Sequence, residues 1–311
     1  MKGSAALKQA FRRTLTRISP TLNTKISYLF KFHKRLNLHK PETLNEKLLW
    51  VKLKEYQNND LVKQCADKYR VRQYVEQAGC GELLNELYGV YRTPEEIDWD
   101  ALPDRFVLKL NVASGYNRIV LDKEKADRAA LIQEMHEWLK EGPKYYLNFS
   151  EIQYADSEPL ILAEKYISSP NGKVPADYKM LCFNGKCLMT MFCLDRSGPG
   201  PTKFFFLDRD WNLVFNFDHE GNVIQELSEA QKHALEKPAL YEQAVTYAEK
   251  LSKPFTFVRV DFYLLESNIL FGEMTFTPFA GMQIWNLLVP DGSSEDFDHM
   301  CGKLLKLPTD Q

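Results

Sequence analysis

Residues 257–278, FVRVDFYLLESNILFGEMTFTP, contain two strand-like runs on either side of a short polar segment. Phe, Val, Ile and Tyr are enriched in β-strands, whereas the Ser and Asn between the two runs are enriched in turns. The stretch therefore predicts an antiparallel hairpin whose turn is centred on Ser267. On its uncharged face, this register pairs Val258 with Phe276, Val260 with Met274 and Phe262 with Gly272.

The same register brings four polar side chains together on the other face of the hairpin. Asp261 lies opposite Glu273, and Arg259 lies opposite Thr275. Two directly opposed carboxylates repel each other, so the pair requires compensation. A hard divalent cation such as Mg²⁺ or Mn²⁺, which prefers oxygen ligands, would provide it. The alternatives are that Arg259 neutralises the pair or that the register is shifted by one or two residues.

Outside this hairpin, strand and helix patterns follow one another without strict alternation. Residues 105–110 (RFVLKL) and 159–167 (PLILAEKYI) are apolar enough for strands, and Asn184-Gly185 is the turn of a second hairpin. This mixture predicts an α+β fold with largely antiparallel sheets. Helices are predicted over residues 60–77, 124–141, 228–237 and 240–252.

The composition is that of a globular protein. Of the 311 residues, 44% are hydrophobic and 26% are charged, which excludes global disorder. A chain of this length usually forms two linked lobes. No apolar run approaches the roughly 20 residues that span a bilayer, and the start does not read as a secretory signal. The six cysteines (65, 80, 182, 187, 193 and 301) are therefore expected to be reduced thiols in the cytoplasm.

Charge is distributed unevenly along the chain. Residues 1–40 contain ten of the 40 Lys and Arg residues and none of the 42 Asp and Glu residues. A local basic segment on an acidic remainder is not a nucleic-acid footprint, and it fits contact with an anionic membrane instead. An apolar stripe at helical spacing predicts an amphipathic helix, which either contacts a membrane or packs on the protein body. The stripe consists of Leu7, Phe11, Leu15, Ile18 and Leu22.

Three lysines occur at positions that suit phosphate or nucleotide contacts. Lys109 interrupts an apolar strand just before the small-residue loop 113–115, where loop amides and an ammonium group can approach phosphate oxygens. The alternative for Lys109 is a lone strand lysine that reaches solvent. Lys165 follows Glu164 at the end of the next strand, whose backbone can pair with a purine edge. Lys179 lies on an apolar face of its strand and either binds a ligand or forms an ion pair.

The pattern Asp-x-Asp occurs three times, at 98–100, 208–210 and 296–298. In glycosyltransferases such a pair holds a metal ion and a sugar nucleotide, so a glycosyltransferase is an alternative function. Three occurrences in one chain show that the pattern has little specificity, and 208–210 is predicted to be a turn between two strands. The cysteines lack the spacing of a zinc site.

Six segments of the chain, in their order along the sequence, resemble the TupA-like ATP-grasp family, which is named for a teichuronopeptide biosynthesis protein. The resemblance extends over nearly all of residues 41–307 and is specific only in combination. It implies a basic N-terminal segment, 1–40, followed by an ATP-grasp region with lobes at about 60–160 and 161–307. The matching segments are DKYRVRQYV (67–75), LPDRFVLKLNVASG (102–115), AEKYI (163–167), DYKMLCFNGK (177–186), FVRVDFY (257–263) and FGEMTFTP (271–278).

The resemblance implies that ATP lies between the two lobes. Lys109 and Lys165 would contact its phosphates or the adenine edge, and the loop at Ser114-Gly115 would cover the phosphates. Family members commonly carry His-Gly where this chain has Val112-Ala113, a difference that affects the flexibility of the loop. The adenine-binding groups would be Glu164 and the backbone of Tyr166 and Ile167.

The resemblance also implies the metal site and the catalytic residues. Lys179 would reach the ATP phosphates, and Arg259 would steady the phosphoryl group that is transferred. Asp261 and Glu273 would hold Mg²⁺ or Mn²⁺. Many ATP-grasp enzymes have Asn in the position of Thr275, whose hydroxyl is a weaker third metal ligand.

The implied activity is ATP-dependent carboxylate–amine ligation through an acyl phosphate, with ADP as a product. Family context suggests a uronic acid or another surface-polysaccharide precursor as the carboxylate and an amino acid as the amine. A nucleotide-binding scaffold without turnover is a further alternative, and two metal-type carboxylates argue against it. No nucleic-acid partner is expected. The expected location is the cytoplasm, with residues 1–40 in peripheral contact with the inner face of the membrane.

Overall fold

The computed structural model describes residues 2–168, 175–194, 202–218, 220–283 and 296–308. Within them, the helices are α1 (Lys2–Ile18), α2 (Pro20–Phe32), α3 (Leu44–Lys54), α4 (Asp60–Ala66), α5 (Val71–Gln77), α6 (Arg128–Glu141), α7 (Glu229–Ala234), α8 (Tyr241–Ser252) and α9 (Phe297–Leu304). The strands are β1 (Leu87–Tyr91), β2 (Phe106–Leu110), β3 (Asn117–Val120), β4 (Ile161–Lys165), β5 (Asp177–Phe183), β6 (Lys186–Leu194), β7 (Lys203–Asp208), β8 (Leu213–Asp218), β9 (Phe257–Leu264) and β10 (Ile269–Thr275). No helix among these residues combines the length and the apolarity needed to cross a membrane.

The chain forms two compact units. Each unit contains one antiparallel sheet together with helices. The predicted fold class, α+β with antiparallel sheets, is therefore confirmed. Unit 1 comprises Met1–Leu36, Lys52–Tyr74 and Leu84–Ile167, and unit 2 comprises Asn37–Val51, Val75–Leu83 and Ser168–Gln311.

The sheet of unit 1 has the strand order β1-β4-β2-β3, and every neighbouring pair is antiparallel. Alternation in β2 buries Phe106, Leu108 and Leu110 on one face, where they share an apolar core with α6. The side chain of Asp127 accepts a backbone hydrogen bond from the first turn of α6 and caps that helix. The opposite face of β2 carries Lys109, so the core-forming alternation also directs this lysine away from α6.

The sheet of unit 2 has the strand order β10-β9-β5-β6-β7-β8 and is antiparallel throughout. The turn between β5 and β6 is Asn184-Gly185, as predicted, and both residues have the positive φ (49° and 78°) that this tight turn requires. One face of the sheet is buried with residues of α3 and α9 in an aromatic core. Large members of this core are Phe206, Phe215, Phe257 and Phe297.

The β9–β10 hairpin has the predicted register only on one side of a β-bulge. On the other side the prediction is wrong, because Gly272 is an extra residue and Phe262 pairs with Phe271 instead. A Cβ at Gly272 would lie 3.0 Å from the carbonyl oxygen of Asp261, a close approach that favours glycine. The turn is displaced to residues 265–268, whose ends are joined by a backbone hydrogen bond of 2.9 Å. The pairs that agree with the prediction are Asp261–Glu273, Arg259–Thr275 and Val260–Met274.

The prediction of a single helix over residues 60–77 is wrong, because the segment forms two helices, α4 and α5. A side-chain oxygen of Asp67 accepts the backbone N–H groups of Tyr69 and Arg70. This local hydrogen bonding competes with helical continuation and ends α4 at the preceding residue.

Candidate nucleotide and metal site

Three neighbouring strands of unit 2 carry a row of charged side chains. β5, β9 and β10 lie side by side, with Lys179 opposite Asp261 and Asp261 opposite Glu273. Directly opposed residues of antiparallel strands point to the same face, so the three side chains form one row across the sheet. The register of the hairpin correctly predicts that Asp261 and Glu273 lie opposite each other. The position of Lys179 beside them becomes visible only in the strand order of the sheet.

Asp261 is the centre of this row and is only 3% exposed. Arg259 donates from Nε to Oδ1 at 2.6 Å and from Nη2 to Oδ2 at 2.7 Å. Lys179 donates from Nζ to the same Oδ2 at 2.5 Å, and it also contacts Asp177. Protein cations therefore already compensate Asp261. This corrects the expectation that the carboxylate pair is unbalanced without a metal ion.

The guanidinium group of Arg259 also links the other two residues of the expected metal site. Its Nη2 lies 3.2 Å from Oε1 of Glu273 and donates to Oγ1 of Thr275 at 3.0 Å. Glu273 lies on the edge strand β10, and its side chain is 40% exposed. Arg259 thus orients three oxygen-bearing side chains, of which Asp261 is buried and Glu273 is partly exposed.

Burial and charge act in opposite directions on the two cations of this cluster. Burial lowers the pKa of Arg259 and of Lys179, but the carboxylate of Asp261 and its acidic neighbours outweigh it, so both pKa values are raised. Among the residues that the structure describes, the ion pairs of this cluster join three carboxylates, of Asp177, Asp261 and Glu273, to the two cations.

Asp261, Glu273 and Thr275 fit a Mg²⁺ or Mn²⁺ ion that shares its coordination with phosphate oxygens. A carboxylate has about four lone-pair sites. The contacts of Asp261 use two on Oδ2 and one on Oδ1. Mg²⁺ is commonly held by one or two carboxylates plus substrate phosphates, so it does not need a cage made of protein alone. Among the described residues, no group of three or more His, Cys, Asp or Glu side chains is arranged for such a cage.

In unit 1, Lys109 and Glu164 form an ion pair on the face of the sheet away from α6. The distance between Nζ and Oε2 is 2.6 Å, and both side chains are mostly buried. β2 lies between β4 and β3, so Lys109 belongs to an inner strand and does not reach solvent from a sheet edge. Two of the expected nucleotide-binding residues are therefore in direct contact.

Lys165 points to the other face of the same sheet. It lies opposite Phe106 of the core face, and its exposed Nζ is 3.2 Å from a carboxylate oxygen of Glu86. Adjacent strand residues alternate between faces, which separates Lys165 from Glu164 and Lys109. The two other expected adenine contacts, Tyr166 and Ile167, follow the end of β4 and are partly exposed.

The loop after β2 contains a left-handed residue that is not glycine. Ala113 has φ 63° and Gly115 has φ 86°, and both Ser114 and Gly115 are exposed. Lys68 donates from Nζ to the carbonyl oxygen of Ala113 at 2.6 Å and holds the loop at this point. The sequence does not predict this role of Lys68, although the residue lies in segment 67–75, one of those that resemble the family.

A comparison with family models decides the relationship of this chain to known proteins. The model described as TupA-like ATPgrasp matches residues 46–306, which include both sheets. The chain belongs to the TupA-like ATP-grasp family. The family expected from the sequence is thus confirmed, whereas no curated protein matches the chain.

Solved structures with similarity to this TupA-like ATP-grasp protein have low sequence identity. D-alanine–D-alanine ligase from Bacillus anthracis, complexed with ATP, is 16% identical with a TM-score of 0.38, over 68% of this chain and 55% of that chain. N5-carboxyaminoimidazole ribonucleotide synthetase from Thermus thermophilus is 15% identical with a TM-score of 0.33, over 70% and 46%. The ATP-grasp ligase PsnB, complexed with a phosphomimetic variant of its minimal precursor, Mg and ADP, is 11% identical with a TM-score of 0.37, over 78% and 59%. The chain spans about half the length of these proteins.

The three Asp-x-Asp sequences of this ATP-grasp protein have local structural roles. Oδ1 of Asp98 and Oδ1 of Asp208 each accept two backbone N–H groups that follow within four residues, as in turns. Asp296 caps α9 by accepting the backbone N–H of His299. The first carboxylate of each motif is therefore engaged in a local backbone contact, and Asp298 accepts hydrogen bonds from Asn45.

Replacement of Ala113 by glycine is expected to stabilise the protein. The left-handed conformation costs a non-glycine residue roughly 1–2 kcal/mol, and the greater chain entropy of glycine offsets part of that gain. Ala113→Gly should therefore raise the free energy of unfolding in urea by up to about 1 kcal/mol. Ser114→Gly is the matched control: its φ is not positive, so it should lose about 0.5–1 kcal/mol. Changes of the same sign in both variants would contradict backbone strain at Ala113.

Proposed function

We propose that this protein is an ATP-dependent carboxylate–amine ligase that forms an amide and releases ADP. The observation that carries the proposal is the row Lys179–Asp261–Glu273 on three adjacent strands, held by Arg259. Two carboxylates of the kind that bind metal ions, beside two buried cations, suit the phosphates of Mg²⁺–ATP. A protein that only scaffolds has no need of such a row. Membership of the ATP-grasp family supports the same interpretation.

The proposed reaction has two steps. First, an oxygen of the substrate carboxylate attacks the γ-phosphorus of ATP, and the bond from that phosphorus to the β,γ-bridging oxygen breaks to release ADP. The acyl phosphate that results is a better electrophile than the carboxylate. The amine then attacks the acyl carbon, inorganic phosphate leaves and the amine nitrogen loses a proton. ATP, a carboxylate and an amine thus become ADP, phosphate and an amide.

The contribution of the protein would be positioning and charge neutralisation. Lys179 and Arg259 hold the carboxylate of Asp261 in place, and we propose that their charges also stabilise the phosphoryl group during transfer. Asp261 and Glu273, with the hydroxyl of Thr275, would hold Mg²⁺ or Mn²⁺. When bound, the metal ion would neutralise part of the phosphate charge.

The nucleotide contacts remain part of the proposal. Lys109 would bind phosphate oxygens, and the exposed loop at Ser114-Gly115 would cover them. The ion pair between Lys109 and Glu164 supports a shared role for these two residues. The remaining assigned contacts to the adenine edge are Lys165 and the backbone of Tyr166 and Ile167.

We further propose a uronic acid or another surface-polysaccharide precursor as the carboxylate and an amino acid as the amine. The support is analogy with the teichuronopeptide protein for which the family is named. The cytoplasm is the proposed location, because it supplies ATP and because the six cysteines are buried free thiols. Contact of residues 1–40 with the inner face of the membrane would keep the ligase near membrane-bound precursors.

Incubation with ATP, Mg²⁺ and pools of amino acids and uronate sugar nucleotides tests the function. The expected result is release of ADP and phosphate that requires both a carboxylate and an amine. Mass spectrometry should then detect a product with the summed mass of the two substrates less one water. Release of AMP and pyrophosphate would indicate adenylation instead of an acyl phosphate. Transfer from the sugar nucleotide without ATP consumption would indicate a glycosyltransferase, and ATP binding without turnover would indicate a scaffold.

Lys109→Met is expected to weaken ATP binding at least tenfold. Methionine keeps most of the aliphatic length but loses a charge-assisted phosphate contact of roughly 1.5–3 kcal/mol. Titration calorimetry with ATP measures the affinity, and the thermal melting curve reports any effect of leaving Glu164 unpaired. Lys63→Met is the matched control, because Lys63 pairs with Asp156 at 2.8 Å but is not assigned to the nucleotide. Wild-type affinity in a folded Lys109→Met protein would remove Lys109 from the nucleotide site.

A further inference from the structure

The two N-terminal helices turn polar residues toward the rest of unit 1. Thr16 on α1 donates from Oγ1 to the carbonyl oxygen of Leu147 at 2.6 Å. Asn23 on α2 donates from Nδ2 to Oγ of Ser150 at 3.0 Å. The inward face of the helices is thus largely polar, and of the apolar stripe only Leu15 is partly buried. The buried residues of α2 are Asn23, Thr24, Ser27 and Tyr28.

Apolar side chains of the same helices point away from the body. Six of the eleven large hydrophobic side chains that are exposed in the described residues lie on α1 and α2, with exposures between 43% and 74%. In α1 the second and third of these residues follow the first by 4 and 11 positions, and in α2 by 7 and 8 positions. Such spacings place the residues on one side of each helix. We call these six residues the outward apolar surface. They are Leu7, Phe11 and Ile18 on α1 and Leu22, Leu29 and Phe30 on α2.

Exposed basic residues accompany the outward apolar surface. Lys8 and Arg17 on α1 and Lys25 and Lys31 on α2 are all exposed. The first acidic residue of the chain is Glu42, so no carboxylate of these helices offsets their charge. Two copies of such a surface repel each other, which argues against a second copy of the chain as the occupant.

We propose that the outward apolar surface binds an anionic bilayer, with α1 and α2 lying along the plane of the membrane. The apolar side chains insert at the boundary between headgroups and acyl chains, and the flanking Lys and Arg side chains contact anionic headgroups. A polyanion such as a nucleic acid would match the basic residues but would leave the six apolar side chains without apolar contacts. An uncharged apolar partner would cover the apolar side chains but would not match the basic residues. The inference concerns residues of α1 and α2 in unit 1 and does not rest on the proposed ligation.

Vesicle flotation of the whole chain, without ATP or substrates, tests this proposal separately from catalysis. The chain is expected to float with vesicles of phosphatidylglycerol and phosphatidylcholine, and to bind vesicles of phosphatidylcholine alone at least about tenfold more weakly. Binding to the anionic vesicles should weaken as salt is raised, because the exposed charges are screened. Equal flotation with both kinds of vesicle, or with neither, would overturn the proposal.

Two double variants separate the apolar and the charged contributions. Leu7→Gln/Phe30→Gln and Arg17→Gln/Lys25→Gln should each weaken binding to anionic vesicles about tenfold or more. Neither should change the melting temperature, because all four side chains are exposed. Ile119→Gln/Leu121→Gln is the matched control, since it removes two exposed apolar side chains elsewhere in unit 1 and should bind as the wild type does.

Three outcomes would contradict insertion of the outward apolar surface. The first is unchanged binding by Leu7→Gln/Phe30→Gln, which would leave charge alone as the attraction. The second is an equal loss in the Ile119→Gln/Leu121→Gln control. The third is sedimentation showing a concentration-dependent dimer that Leu7→Gln/Phe30→Gln disrupts, which would make a second copy of the chain the occupant.

Discussion

Asp261→Asn is expected to lower the free energy of unfolding by about 3–5 kcal/mol and to abolish ligation. Asparagine has nearly the same shape as aspartate but no charge, so Arg259 and Lys179 would remain buried with one carboxylate fewer. Its amide nitrogen would also face a cationic donor where an oxygen now accepts. Breaking a buried ion pair by removing one partner costs more than the pair contributes, because the other charge stays desolvated.

Urea denaturation measures this loss, and Asp156→Asn is its control. Asp156 also pairs with a lysine, Lys63 at 2.8 Å, but it lies at the surface, so its replacement should cost less than about 1 kcal/mol. Equal or higher stability of Asp261→Asn would mean that repulsion from Glu273 dominates at this position. That result would contradict compensation by Arg259 and Lys179.

Interactions within one hairpin could be predicted from the sequence, and interactions between distant strands could not. Side-chain alternation and one turn place Asp261 opposite Glu273, and the same alternation puts Arg259 on their face. The position of Lys179 requires β5 beside β9, strands separated by more than 70 residues, and no local pattern encodes that neighbourhood. The bulge at Gly272 escaped prediction for a similar reason, since it depends on the close approach of another strand's backbone.

The residues of unit 1 that we propose to bind the nucleotide show the same difference between local and long-range interactions. Glu164 and Lys165 are adjacent in a strand, so alternation alone predicts that they point to opposite faces, as they do. Contact between Lys109 and Glu164 needs β2 beside β4, and family resemblance, not periodicity, suggested that these residues act together.

For the N-terminal helices, the sequence does not predict which side faces the protein body. Their apolar stripe predicts one helix, whereas the segment forms two, because Ser19 caps a new helix that begins at Pro20 and carries Leu22. A stripe also does not tell which side of a helix faces the body. Thr16 and Asn23 face the body, where they form hydrogen bonds with Leu147 and Ser150. These partners lie more than 100 residues later in the chain, so no local pattern predicts that side of the helices.

Glu273→Gln is expected to reduce ligation at least about a thousandfold while leaving the fold nearly as stable as the wild type. The proposed metal ion would supply several kcal/mol of charge stabilisation in the transition state, and loss of its proposed ligand Glu273 would remove most of that. The stability should change by less than about 1 kcal/mol, because the side chain is 40% exposed and Arg259 keeps its bidentate contact with Asp261. Glu273→Gln and Asp261→Asn should therefore both be inactive, yet differ by several kcal/mol in stability.

The exposed Glu266 in the turn of the same hairpin provides the control for this variant. Glu266→Gln removes a carboxylate from the turn of the same hairpin and should alter neither ligation nor the Mg²⁺ dependence of ATP binding. Titration calorimetry with and without Mg²⁺ separates the two variants, since only Glu273→Gln should lose the tighter binding that Mg²⁺ confers. Near wild-type ligation by Glu273→Gln would exclude Glu273 as a metal ligand. A stability loss as large as that of Asp261→Asn would instead assign Glu273 to the ion-pair network, and the metal ion would then depend on Asp261 alone.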